Sequence, residues 1–569
     1  MRTEIRILLA AVLPLAATPA PAAAAEFTPH AFVASNGTKV DAEKGEIRVP
    51  ENRAKPGSRT IALRFVRFRS TAKEPGNPIV YLAGGPGGSG IEAAKGSRFP
   101  LFQALREFGD VIAFDQRGTG ASEPDLRCKD TYQVPPGEPL DRVKSGALMA
   151  AAARECAQRL RASGVDLAGY NTRESAADLE DLRKALGAPK LDLWGISYGT
   201  HLAIATLRYH PSAVGRVILA GIEGPDDTYK LPSDQQSLVE EIARLAAKAG
   251  THPDLVASIS KLLKELEAHP KSVSLTHPLN GQSATFVLGP FDLQSVLSGM
   301  LTGPETFAGM PDLVTRLEKG DWMALALTAA PQRTGTGIPG MSIAMDCASG
   351  VSAARRELIR DEAARTLLGD AINAPFPEVC EGFQVPDAGD AFRSPLRSDA
   401  RALLISGTLD GRTRPRQADE LRRTLPNAEH LVLEGAGHSD PLFLSSPKIL
   451  EAMKAFLKGE PLRERYVTVA SVPFVAPRNV VTLADDVLSR YEGTYRLEDA
   501  STRRVVKAGP VLYAIRERGR PLALRPSSEV EFFYEELAAT MSFDVDAKGA
   551  VTAMTLRQPD GKTQRAVKE

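Results

Sequence analysis

A mostly parallel β-sheet with helices on both faces, interrupted by an inserted, mainly helical cap and followed by a small C-terminal β-rich domain, is the α/β architecture this sequence predicts. Three observations predict it. Short apolar runs at Ile61 to Phe68, Ile79 to Leu82, Val111 to Phe114, Leu191 to Trp194, Val217 to Leu219, Leu403 to Ile405 and Leu431 to Leu433 alternate with amphipathic stretches, the pattern of strands buried on both faces. The stretch between the runs at Val217 and Leu403 is far longer than a crossover connection needs, so a further unit is inserted there. From about Asp485 the chain changes to short β-rich segments separated by turns, among them Tyr491 to Leu497, Val511 to Ile515 and Met541 to Val545. The expected organisation is a leader at 1–25, a core in two parts at 26–222 and 391–460, a cap at 223–390, a linker at 461–484 and a β-rich domain at 485–569.

The first element is a leader. Arg2 and Arg6 precede an apolar run from Ile7 to Ala17, and Ala23-Ala24-Ala25 offers a small-residue cleavage site before Glu26. The run is too short for a membrane span, which points to a cleavable signal peptide and export to the periplasm or medium of a bacterium. Lysine plus arginine equals aspartate plus glutamate at 70 each, so charge argues for neither nucleic acid nor an anionic membrane as partner. The chain holds 4 cysteines, a number that suits two disulfides in an oxidising compartment. Proximity pairs Cys128 with Cys156 and Cys347 with Cys380, the other pairings and free thiols staying open. None has the Cys/His spacing of a zinc site, and the chemistry below requires no metal or organic cofactor.

The strand at Ile79 to Leu82 runs into Ala83-Gly84-Gly85-Pro86-Gly87-Gly88-Ser89-Gly90. This loop lacks the Lys-Ser/Thr ending of a phosphate-binding loop, and its place after an early strand suits a donor loop for an oxyanion. Gly85 is the expected donor, because Pro86 has no N–H.

The strand at Leu191 enters Gly195-Ile196-Ser197-Tyr198-Gly199, and a helix-forming run from Leu202 leaves it. A strand, a tight turn carrying serine between glycines, and a helix form the nucleophile elbow of the α/β-hydrolase fold. There the backbone N–H of the following residue, here Tyr198, is the second oxyanion donor. A serine hydroxyl needs an imidazole base oriented by a carboxylate, and in this fold the acid and then the histidine follow the serine in the chain. Asp410 ends an apolar strand, and His438 follows the glycine turn after the next one, so Ser197, Asp410 and His438 are the candidate catalytic residues. His201 precedes the acid and is expected to pack beneath the elbow. Asp440 is too near His438 in sequence to reach the far side of its ring.

These pieces resemble the proline iminopeptidase and tripeptidyl aminopeptidase family of α/β-hydrolases. The resemblance rests on residues 84–90, on Asp115-Gln116-Arg117-Gly118-Thr119-Gly120-Ala121-Ser122, on the helix Ala176 to Arg183, on the elbow and on the Asp410 and His438 loops. It covers roughly residues 40 to 460 and implies a secreted serine exopeptidase that takes peptides with free N-termini through an acyl-enzyme. Two departures stand out. The family usually has histidine where Ala83 stands. Secreted members carry an acid just after a cap cysteine, whereas this chain reads Asp346-Cys347-Ala348-Ser349-Gly350. An aminopeptidase needs a carboxylate for the substrate ammonium, and Asp346, Glu378 or Glu381 is expected to supply it. The alternative readings are a carboxylesterase on the same three residues and a non-catalytic binding protein of this fold. The β-rich tail resembles small domains appended to some secreted serine hydrolases and shows no catalytic constellation.

Overall fold

The computed structural model describes residues 24–569 apart from 470, 471, 518, 559 and 560, so the leader expected at 1–25 lies almost wholly outside the described residues. The core is a ten-stranded sheet. Its strands are β1 (Glu26–Val33), β2 (Lys39–Pro50), β3 (Thr60–Phe68), β4 (Ile79–Leu82), β5 (Val111–Phe114), β6 (Leu191–Ser197), β7 (Val214–Ile222), β8 (Arg401–Gly407), β9 (Ala428–Glu434) and β10 (Tyr466–Thr468). They lie in the order β1-β2-β3-β5-β4-β6-β7-β8-β9-β10. From β5 to β10 every pairing is parallel, and β1, β2 and β3 add an antiparallel edge.

Sequence and burial agree along these strands. The four residues of β4 and of β5 are all buried, as central strands covered on both faces require. β2 alternates exposed with buried positions and is rich in charge, and β1 buries Phe32 alone, which is why the apolar-run criterion passes over both. The β6 strand ends at Ser197, directly followed by the helix Tyr198–Tyr209.

The insertion between β7 and β8 is mainly helical. In its helix Leu255–Ala268, Asp254 caps the first turn by accepting the Ala257 N–H at 3.1 Å. Leu255, Ile259, Leu262 and Leu266 then fall on one buried stripe, each contributing roughly 1.5–3 kcal/mol of burial. The Gly- and Pro-rich stretch of the cap forms the strand Thr334–Pro339, laddered antiparallel with Arg127–Gln133 of the core, because its backbone groups find partners there. Disulfides join Cys128 to Cys156 and Cys347 to Cys380. The second ties the cap helix Gly340–Ser349 to the helix Glu378–Phe383.

The C-terminal segments close into an eight-stranded antiparallel barrel running from Gly493 to Lys568. Its interior packs Tyr495, Leu512, Leu524, Phe532 and Phe543. Its outer face joins the cap, where Ala508, Val511, Tyr513 and Ala523 share a core with the cap helices. An ion network seals the contact. Arg316 bonds Asp312, Asp321 and Glu535, Arg478 bonds Asp312 at 2.7 Å, and Arg525 bonds Asp321 at 3.0 Å. Beside it lies a cavity of about 330 Å³, and burial pushes the Glu536 carboxyl on its wall up to about 7.

Candidate active site

The elbow is built by close approach. Ser197 adopts φ +54° and ψ −127°, a strained conformation for a side-chain-bearing residue. Its flanking glycines leave no alternative, since a Cβ on Gly195 would sit 2.6 Å from the Gly199 carbonyl oxygen and one on Gly199 2.1 Å from that of Leu82. The glycine loop after β4 passes against the serine, and a Cβ on Gly84 would lie 2.9 Å from the Ser197 Cβ.

Two motifs of the sequence anchor this loop. Asp115 accepts hydrogen bonds from the Ser89 hydroxyl at 2.6 Å, the Ile91 N–H at 3.1 Å and the Ala121 N–H at 2.8 Å. Gln116 donates to the Ala83 carbonyl at 3.0 Å, so the loop is held at the position where Ala83 departs from the family pattern. Arg117, fully buried, forms a bidentate pair with Asp178 at 2.7 and 2.6 Å, which links the turn to the helix Thr172–Ala185. Gly85 lines the cavity, and its N–H meets no protein acceptor among the described residues. The Tyr198 N–H belongs to the first turn of its helix, where no intrahelical acceptor exists.

Asp410 lies just beyond β8 and is completely buried. One carboxylate oxygen accepts the N–H groups of Arg412 and Thr413 at 2.7 and 2.8 Å. The other accepts the Thr413 hydroxyl at 2.7 Å and meets His438 Nδ1 at 2.8 Å. Burial alone would raise this carboxyl, but the adjoining His438 and the Thr413 donors outweigh it and hold it below the ordinary carboxylate range. Placing the Nδ1 proton toward Asp410 leaves Nε2 as the basic nitrogen of the ring. The backbone of His438 is also fixed from the cap, its N–H donating to the Thr302 carbonyl at 2.9 Å.

Ser197, His438, Gly85 and Asp346 line one cavity of about 490 Å³. Asp346 lies on the cap helix Gly340–Ser349, and no donor among the described residues bonds its carboxylate. Enclosure and then the neighbouring Glu223 push that carboxyl well above its usual range, against the opposing pull of Lys230 and Arg412. The other two sequence candidates are elsewhere. Glu378 is paired with Arg142, Glu381 is exposed, and neither lines the cavity. His201 is buried beneath the elbow, its ring nitrogens 3.0 Å from the Gly224 carbonyl and 3.3 Å from the Ser349 hydroxyl.

Sequence reasoning missed Glu223 and Lys230. They form a buried pair at 2.6 Å and both line the cavity. The signal was present, because Glu223 directly follows the carboxyl end of β7, the edge of a parallel sheet where ligands bind. The combined arrangement offers a hydroxyl on a strained turn, an imidazole oriented by a buried acid, two free backbone N–H groups and a carboxylate that accepts no hydrogen bond among the described residues. Such a set can form and resolve an acyl ester while holding a cation.

Parts of this chain are similar to known proteins. The α/β hydrolase fold family matches residues 77–278, and the family described as TAP-like protein matches residues 367–463. The tripeptidyl aminopeptidase of Streptomyces coelicolor is 28% identical over 314 residues, 51% of this chain and 56% of that protein. The serine protease Hip1 of Mycobacterium tuberculosis is 34% identical over 191 residues, 32% of this chain and 36% of that one. A proline iminopeptidase of Arabidopsis thaliana is 28% identical over 155 residues, 27% of this chain and 29% of that one. The chain thus spans about half the length, or less, of the curated relatives it matches.

Proposed function

From the premise that this chain belongs to the α/β-hydrolases related to tripeptidyl aminopeptidase and proline iminopeptidase, we propose that it is an exported serine aminopeptidase. Ser197 Oγ attacks the carbonyl of the scissile bond while His438 Nε2 takes its proton and Asp410 stabilises the imidazolium. The N–H groups of Gly85 and Tyr198 receive the oxyanion, each such donor being worth roughly 3–4 kcal/mol in the transition state. Collapse of the tetrahedral intermediate expels the leaving amine, which takes the proton from His438. Water activated by the same imidazole then hydrolyses the acyl-enzyme and frees Ser197.

The observation that carries the peptidase reading is the Asp346 carboxylate, enclosed in the same cavity as Ser197 and bonded by no donor among the described residues. An enclosed carboxylate that accepts no hydrogen bond is costly to ionise, and a substrate ammonium would supply both donors and a charge. Glu223 stands nearby but is already paired with Lys230, so it shapes the field while Asp346 takes the new bond. Two disulfides favour an oxidising compartment, and no helix among the described residues is long and apolar enough to cross a membrane.

A panel of peptide amides with free and N-acetylated termini, run beside p-nitrophenyl acetate, tests the proposal. Free peptides should be cleaved and blocked ones spared. Equal rates on both would remove the aminopeptidase assignment, and turnover of the ester alone would make the protein a carboxylesterase. Failure of a fluorophosphonate to label Ser197 would leave a binding protein of this fold.

A further inference from the structure

Asp440, two residues beyond His438, takes no part in the proposed proton transfer, yet it is the centre of a dense polar cluster at the cavity wall. Its Oδ1 accepts from Arg98 Nε at 2.8 Å, and its Oδ2 accepts from the Ser97 hydroxyl. Arg98 also bonds the Ser439 hydroxyl at 3.2 Å and the Tyr81 hydroxyl, so its guanidinium spends its donors on the residues that follow His438 and on β4. The residue is 8% exposed, and its guanidinium carbon lies 5.3 Å from the centre of the Phe443 ring, just beyond the same loop. Ser439 itself adopts φ +72°, a left-handed conformation that a serine keeps only where its surroundings hold it.

The location gives the cluster its meaning. Ser97 and Arg98 connect the helix Gly90–Lys95, which follows the glycine loop, to the helix Phe99–Ala104. Tyr81 precedes that loop on β4, one residue before Leu82. Arg98 therefore ties the strand that leads into the loop presenting Gly85 to the two residues after His438. Opposite them, the Thr302 carbonyl holds the His438 N–H. The histidine loop is clamped from both sides, and the Arg98 side is the one that sets its distance from the oxyanion donors.

We infer that Arg98 and Asp440 are a positioning pair that fixes the His438 loop against the glycine loop, so that the base and the oxyanion donors keep one spacing about Ser197. This rests on the serine-hydrolase reading above. The pair acts on the transition state through geometry and leaves ground-state binding nearly unchanged.

The test compares wild type, Arg98→Met, Arg98→Lys, Asp440→Asn and the Met/Asn double variant. Three quantities are read: kcat and KM on p-nitrophenyl acetate, the rate of Ser197 labelling by a fluorophosphonate, and Tm. Each neutralising single variant should lower kcat and the labelling rate together by about 10- to 100-fold, the scale of an ångström-level misplacement, with KM within about twofold. The double variant should be no slower than the slower single, because both remove one interaction. Arg98→Lys should recover part of the rate. If Arg98→Met fails to fold, Asp440→Asn decides alone, since it keeps the shape of a half-exposed side chain. Wild-type kcat in Asp440→Asn, multiplying losses in the double variant, or a rise in KM with kcat intact would each overturn the pair. A wild-type protein that does not label at all overturns the serine-hydrolase reading, and this inference with it.

Discussion

The two ends of the 490 Å³ cavity are made in different ways. At one end, Ser197 closes β6 and His438 follows β9 on the wall, with Asp410 buried behind them after β8, and short local motifs determine where they point. At the other, Asp346 comes from a cap helix, Glu223 from the exit of β7 and Lys230 from the segment after it. A strand followed by a tight turn is a local instruction, whereas the amine end exists only once the cap has folded over the sheet. The end that would break bonds is thus written in segments of a few residues, and the end that would select the substrate is written in tertiary packing.

Breaking the first end should cost most. Ser197→Ala removes the nucleophile and little volume, and turnover of peptide and ester alike should fall by on the order of 10⁴ or more at unchanged Tm. A loss of only a few-fold would mean that the hydroxyl is not the attacking group. Asp410→Asn should cost on the order of 10⁴ in kcat, because the imidazole is left in the wrong tautomer. A rate near wild type would place the orienting acid elsewhere.

Breaking the second end should separate the substrates. Asp346→Asn should lower kcat/KM for free peptides by about 10- to 100-fold, the worth of a charge-assisted hydrogen bond of roughly 1.5–3 kcal/mol, and leave the neutral ester unchanged. Glu378→Gln and Glu381→Gln should change neither, since one is bonded to Arg142 and the other is exposed. The same end gives a pH signature. Asp346 is held well above its usual range, so its carboxylate forms only as pH rises through that raised value. The advantage of a free peptide over the ester should therefore grow with pH above the ordinary carboxylate range, and in Asp346→Asn that growth should vanish. A constant peptide-to-ester ratio from pH 5 to 8 would count against Asp346 as the amine ligand.

The smallest effect belongs far from both ends. The carboxyl of Glu536, at the junction of barrel and cap, is pushed up to about 7 by burial, above its value in the unfolded chain. The native state then binds more protons than the unfolded one between these two values. Its contribution is complete at acidic pH and is lost as pH rises through 7. Glu536→Gln cannot ionise, so it should gain on the order of 1–3 kcal/mol over wild type at pH 8 and nothing at pH 4, with kcat unaltered at both. Denaturant unfolding at the two pH values measures this, and an equal ΔΔG at both would mean that Glu536 does not titrate in this range.

What the sequence disclosed follows the same division. The strands from β3 to β9 were legible because each carries a short apolar run, unbroken in the fully buried β4 and β5, and the elbow because only glycine tolerates the contacts around Ser197. Of the edge strands, β2 was hidden by its charges and β1 by its exposure, with Phe32 its one buried residue. The eight-stranded barrel appeared only as scattered β-rich segments, since closure depends on pairings between distant strands such as Tyr495 with Lys568. Asp346 could be named beside Cys347 but not told from Glu378, because what separates them is Arg142, a partner more than 200 positions away. Glu223 escaped notice because a single acid after a strand forms no pattern until Lys230 and Asp346 stand around it.

The hydrogen bond from the His438 N–H to the Thr302 carbonyl has a consequence for protein engineering. The cap supplies a backbone acceptor to the segment that carries His438, and Gly437 packs so tightly on Gly303 that a Cβ would fall 2.4 Å from its Cα. A transplanted cap must reproduce the path of residues 302–303 as well as the chemistry of Asp346. Libraries meant to retune selectivity therefore belong on the face of the helix Gly340–Ser349 that looks into the cavity, with the Thr302 turn left untouched.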